Sequence, residues 1–160
     1  MKTKLTVILF FLLAPQLASA QTDHPTSRLE LRGSGGWIGF PDDSMVLNHV
    51  LAGVSMRVAI IKGLGVEPEL TFMKGPGEDR DILLTPVVSY EFGKGRVKPY
   101  VLGAVGVLWH RDQFVWGNSF HASGGFGVHT QINERWSVSP EFRMGMPAHL
   151  QFKVGIGYSF

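Results

Sequence analysis

The sequence of 160 residues contains no cysteine, which excludes a disulfide scaffold, a thiolate metal site and a lipid-modified cysteine anchor. Charge is sparse, at 18% of residues, and the formal excess of +2 is local. The first twenty residues hold Lys2 and Lys4 but no acid, so beyond them 15 basic residues become 13, against 13 acids. A neutral remainder has no Lys/Arg cluster to neutralise phosphates, so nucleic acid is excluded as a partner. Long hydrophobic runs are missing too. After Gln21 the longest mostly apolar stretch free of charge is Pro99 to Trp109, eleven residues, whereas a membrane-spanning helix needs roughly 20. Helical periodicity is absent, and 20 glycines would penalise helix at many positions.

What is present begins with an export signal. Met1 to Ala20 has a charged start, an apolar run from Leu5 to Ala14 and the small residues Ala18-Ser19-Ala20 before Gln21, the pattern of a cleaved secretory signal peptide. Past it, segments of about ten residues with apolar side chains at alternate positions recur, separated by Gly, Asp, Asn and Lys clusters. The pattern predicts eight strands, at Leu29 to Phe40, His49 to Ile60, Leu64 to Met73, Ile82 to Phe92, Lys98 to His110, Ser119 to Ile132, Trp136 to Met144 and Leu150 to Phe160. Connections after the even strands are short: Ile61 to Gly63, Gly93 to Val97 and Asn133 to Arg135. Those after the first three odd strands are longer and more polar: Pro41 to Asn48, Lys74 to Asp81 and Arg111 to Asn118. The fourth, Gly145 to His149, is short and fits this alternation less well. Short inner turns, longer outer loops and an even strand count suit a transmembrane barrel. The expected organisation is a signal peptide over 1–20, a short segment over 21–28 and an all-β, eight-stranded antiparallel transmembrane β-barrel over 29–160.

Eight alternating strands would equally suit a soluble lipocalin-like barrel, which is the same object turned inside out. Parity separates the two. One face of the last strands reads Phe120, Ala122, Phe126, Val128, then Val138, Phe142, Met144, then Phe152, Val154, Ile156. The other mixes charges with glycine and serine, as a cramped lumen requires and a solvent surface does not. On that parity lie Glu30, Arg32, Arg57, Glu67, Glu69, Glu91, Glu141, Arg143 and Lys153, five acids and four bases. Enclosed together they would pair, because an unpaired charge there costs several kcal/mol of desolvation. Such a network plugs the tube. The fifth strand has no clear phase, since Val101, Val105 and Trp109 compete with Tyr100, Leu102 and Leu108. Aromatic girdles are expected at both rims: Tyr90, Phe92, Tyr100, Trp136, Tyr158 and Phe160 at the short-turn end, and Trp37, Phe40, Phe72, Trp109, Trp116 and Phe120 at the other. Pro68, Pro86 and Pro140 fall inside strands, where each removes a ladder donor and predicts a bulge or local irregularity.

The segment Phe152-Lys153-Val154-Gly155-Ile156-Gly157-Tyr158-Ser159-Phe160 resembles the terminal signature of bacterial outer-membrane barrels. In that family this strand is what the barrel-assembly machinery recognises, and the matching positions are Lys153, Gly155, Tyr158 and Phe160. Lys98-Pro99-Tyr100-Val101, and Gly124-Gly125-Phe126-Gly127-Val128 through Trp136 to Pro140-Glu141-Phe142-Arg143, resemble the small eight-stranded outer-membrane barrel family of OmpA/OmpX type. The resemblance spans the whole chain after the signal peptide. It implies location in the bacterial outer membrane, with membrane lipids and lipopolysaccharide as surroundings and the assembly machinery as partner during biogenesis. The motifs specify fold far better than function; the residues themselves call for no cofactor, and the expected role is envelope-structural or surface-interaction, without catalysis.

Two further chemistries are legible. His121 and Ser123 share a strand face, with Glu134 or Glu141 downstream, the types needed for a base, a nucleophile and an orienting carboxylate. Outer-membrane lipid A deacylases resemble this arrangement, which makes a lipid A-modifying hydrolase the alternative to a non-catalytic barrel; a narrow porin-like pore is a third reading. A metal site is not expected. Of the six histidines, His121 and His129 share a strand face about 26 Å apart, too far to hold one ion. The run Glu78-Asp79-Arg80-Asp81 could attract cations or sit among lipopolysaccharide headgroups, and reads most simply as a solvated loop tip. Gly33-Ser34-Gly35-Gly36 is no phosphate loop, since no helix follows it.

Overall fold

Alternation of apolar and small or polar side chains favours extended backbone with two unlike faces. The structure, a computed structural model that describes residues 29–41, 46–111 and 116–160, has eight strands: β1 (Leu29–Pro41), β2 (Val46–Ile61), β3 (Leu64–Lys74), β4 (Arg80–Glu91), β5 (Val97–Arg111), β6 (Trp116–Gln131), β7 (Trp136–Met146) and β8 (His149–Ser159). Each pairs antiparallel with its sequence neighbour, and β1 pairs with β8, closing the barrel. The expected signal peptide and the segment 21–28 lie outside the described residues.

The exposure pattern is that of a barrel meant for lipid. Val54, Phe126 and Ile156 stand on the outside, each more than half exposed, while Glu69 and Arg143 are 1% exposed inside. β5 takes one definite phase: Tyr100, Leu102, Ala104 and Leu108 face the lumen, and Val101, Val105, Val107 and Trp109 face out. Two girdle assignments are thereby corrected. Tyr100 lies in the lumen with its hydroxyl on Glu141, and Phe40 packs on the buried apolar cluster near the mouth. At the short-turn rim, Trp136, Tyr158 and Phe160 form an edge-to-face chain with centroids 5.2 Å apart.

The strands outrun the expected bounds at the longer-loop end, where β2 begins at Val46 and β6 at Trp116. Hairpin pairing between neighbouring strands continues to their loops: Pro41 opposes Val46, and Arg111 opposes Trp116. The three prolines give the expected local irregularity, but no bulge. Pro68 opposes Pro86 directly, and Pro140 opposes Val154, with the register unbroken. Each proline drops rungs on its other side, as between Leu84↔Val107 and Val87↔Ala104, without shifting the ladder. The register shift recorded in the barrel falls instead between Ala59 and Ile61, beside the β2–β3 turn. That turn needs glycine, since Gly63 sits at φ 81°.

Candidate functional site

Each inward-facing position lies two residues from the next along its strand, so eight strands stack their inner side chains in layers. The narrow bore makes room for long side chains by setting glycine beside them. A Cβ at Gly155 would fall 2.6 Å from Arg32 Cδ, one at Gly65 3.0 Å from Arg57, and one at Gly127 2.6 Å from the Tyr100 hydroxyl. This explains why the inner parity mixes charges with glycine.

The layer nearest the short turns centres on Arg32. Its Nη2 donates to Glu30 Oε1 at 3.0 Å and its Nη1 to Glu67 Oε2 at 3.2 Å. Ser137 Oγ donates to Glu30 at 3.0 Å. Arg57 Nη2 lies 2.9 Å from Glu91, and Lys98 Nζ 3.8 Å from the same carboxylate. His129 stands between Glu30 and Glu91, at 3.7 and 3.9 Å.

The next layer centres on two carboxylates. Glu69 accepts from Arg143 Nη2 at 2.8 Å, from Lys153 Nζ at 2.5 Å and from Thr71 Oγ1 at 2.9 Å. Glu141 accepts from Arg143 Nε at 2.5 Å and from the Tyr100 hydroxyl at 2.7 Å, with Lys153 3.4 Å away. All nine inward charges read from parity are buried, and every one is paired within these two layers. Lys98 joins them as a tenth and levels five acids with five bases. Sequence reasoning missed Lys98 because β5 could not be phased. The space between Arg32, Arg57, Glu91, Tyr100 and Glu141 leaves no room for a water molecule.

Above the ions lies an apolar layer of Ile38, Leu51, Met73, Leu83 and Leu108. His121 is 1% exposed inside the same half of the barrel and stacks on His149, with centroids 4.7 Å apart. The hydrolytic constellation is not assembled. His121's two ring nitrogens and Ser123 Oγ have no hydrogen-bond partner. Glu141 is held by Tyr100, Arg143 and Lys153, and Glu134 is exposed on the turn at the opposite end of the barrel. Of the expected assembly positions, Lys153 and Gly155 face the lumen, and Tyr158 and Phe160 stand at the rim.

At the mouth, the structure brings together residues that the sequence reading kept apart. Asp81 of β4 opposes His110 of β5, and His49 of β2 meets both Asp81 and Asp79 of the β3–β4 turn. Finding this group required the β4–β5 register and the phase of β5.

No family model matches the sequence, and no curated protein matches it. Solved structures do. Neisserial surface protein A superposes with a TM-score of 0.70 at 12% identity, over 86% of this chain and 100% of that one. The N-terminal β-barrel domain of Pseudomonas aeruginosa OprF gives 0.61 at 15% identity, over 84% and 98%. The outer membrane enzyme PagL gives 0.56 at 14% identity, over 82% and 99%. At such identities the likeness is one of fold, and that fold is shared by a surface protein and by an outer membrane enzyme.

Proposed function

We propose that this barrel, which has the fold of the small eight-stranded outer-membrane proteins, is a non-catalytic component of the bacterial outer membrane with an envelope-structural or surface-interaction role. The observation that carries the reading is the combination of an apolar outer band with a bore filled by paired charges. Such a bore closes the route that a channel would need, and the outer band suits immersion in lipid. Export through a cleaved signal peptide over 1–20, contact with membrane lipids and lipopolysaccharide, and recognition of Lys153, Gly155, Tyr158 and Phe160 by the assembly machinery belong to the same proposal.

The test has three arms. The protein should fractionate with outer membranes, with an N-terminus at Gln21, and recovery in the soluble periplasm would sink the reading. Reconstituted in planar bilayers, it should give no current steps; regular steps would favour the narrow pore. Against the lipid A hydrolase stands the inward placement of His121 and Ser123, away from acyl chains. Ser123→Ala should leave the acyl composition of extracted lipid A unchanged, and a change would restore the enzyme.

A further inference from the structure

We propose that His49, Asp79, Asp81 and His110 form a divalent-cation site at the longer-loop mouth of the barrel, taking a borderline transition ion of the zinc class. The proposal is independent of the bulk role argued above. It starts from convergence: three side chains, from β2, the β3–β4 turn and β4, reach one point, and His110 of β5 adjoins them through the two carboxylates. One ligand atom from each of His49, Asp79 and Asp81 lies within 4.8 Å of the others, the one such group among the described residues. His49 Nε2 is 2.7 Å from Asp79 Oδ2 and 3.6 Å from Asp81 Oδ2; His110 Nδ1 is 2.6 Å from Asp81 Oδ1 and 3.5 Å from Asp79 Oδ1. Tetrahedral zinc with bonds of about 2.0–2.2 Å separates its donors by about 3.3 Å. The His49 separations bracket this value, so His49, Asp79 and Asp81 can supply three donors to one ion, and His110, on the far oxygens of both carboxylates, must turn inward to become the fourth.

The donor set fits the ion class. Two imidazole nitrogens and two carboxylate oxygens suit zinc and its neighbours, whereas calcium and magnesium prefer oxygen alone. Burial distinguishes the group from a solvated acidic loop. His49 and Asp81 are each 3% exposed, Asp79 15%, and His110 at 38% forms the opening to solvent. Asp79 Oδ1 is buried yet accepts no hydrogen bond, an oxygen with a lone pair to give.

Beneath the group, two residues further into the barrel on each strand, lie Leu51, Leu83 and Leu108, all in the apolar layer. That floor separates the mouth from the ion pairs of Glu69 and Arg143 and withholds solvation from Asp79 and Asp81. Two carboxylates held over an apolar floor call for positive charge, which an ion at this point supplies.

The turn is shaped to deliver Asp79. Gly75 N donates to Asp79 O at 3.0 Å, Asp79 N donates to Pro76 O at 3.3 Å, and Gly77 takes φ 64°. At Gly75 a Cβ would sit 2.5 Å from both Asp79 Oδ2 and His49 Nε2, so the glycine clears the space in which these ligands meet.

The test uses the full-length protein refolded in detergent micelles and stripped with chelator. Titration calorimetry with ZnCl2 should give one ion per chain, and Co2+ should develop the visible absorption of a four-coordinate nitrogen and oxygen site. Asp81→Asn and His49→Gln should each weaken zinc binding by at least about 100-fold. The exposed His110→Gln has no core to disturb and should weaken it by about ten-fold. Heat-modifiable gel migration establishes that each variant is folded. The proposal is overturned by no saturable zinc heat, by calcium binding in preference to zinc, or by unchanged affinity in a folded Asp79→Asn/Asp81→Asn double variant.

Discussion

Glu69 of β3 and Arg143 of β7 meet across the bore at 2.8 Å, 74 residues apart in the chain and each 1% exposed. Removing one member of a buried pair leaves the other charge uncompensated, at a cost of about 3–5 kcal/mol. With Glu69 absent, Arg143 and Lys153 would share Glu141 alone, since these two bases and two acids form one group. Glu69→Ala should therefore lower the unfolding free energy in micelles by about 3–5 kcal/mol, measured by denaturant titration of tryptophan fluorescence. Glu69→Gln keeps an acceptor for Thr71 and should cost less. A loss below about 1 kcal/mol for the alanine variant would mean that solvent reaches the network.

How far that pair was legible follows from what parity can and cannot carry. Period-two alternation assigned Glu69 and Arg143 to the same inner face, because strand geometry leaves two faces and the opposite one was apolar. Parity gives the face but not the height or the partner. That Glu69 meets Arg143 and Lys153, while Arg32 takes Glu30 and Glu67, depends on the stagger between strands, which no single strand encodes. Lys98 and Tyr100 were lost for a related reason. In β5 small and apolar residues occupy both faces, as Ala104 inside and Val105 outside illustrate, so alternation has no contrast. The mouth group was hidden twice, by the phase of His110 and by the reach of a turn that folds Asp79 back over His49.

The spacing of the strands around the filled bore makes a second prediction. A Cβ placed on Gly145 would overlap the Ala122 carbonyl oxygen and crowd Ser123 Cα, both backbone atoms of the paired strand β6. Backbone cannot swing aside as an arginine tip can, so Gly145→Ala forces β6 and β7 apart, at about 1–3 kcal/mol. Gly103 has nothing within 4 Å of the same atom. There alanine removes the conformational freedom of an unneeded glycine and should stabilise by up to about 1 kcal/mol. Unfolding midpoints of the two variants should move in opposite directions; equal shifts would show that lumen crowding does not limit this barrel.

The outer face supplies the last prediction, and it separates a lipid-facing barrel from a water-facing one. Val54 sits midway along β2, 58% exposed, opposite Gly33 of β1 and Leu70 of β3, so its side chain belongs to the centre of the apolar band. Ile61 is similarly exposed but ends the same strand at the short-turn rim. A lysine at the bilayer midplane costs about 2–4 kcal/mol and near the interface about 0–1 kcal/mol, where its ammonium reaches water. Folded into lipid vesicles, Val54→Lys should therefore lose about 2–4 kcal/mol and Ile61→Lys about 0–1 kcal/mol. The depth dependence matters more than either value. On a barrel surrounded by water, both substitutions would replace an exposed apolar side chain with a solvated one, with no difference between centre and rim. Equal and small effects at the two positions, measured by denaturant unfolding from vesicles, would overturn the membrane-spanning assignment even if the lumen network were intact.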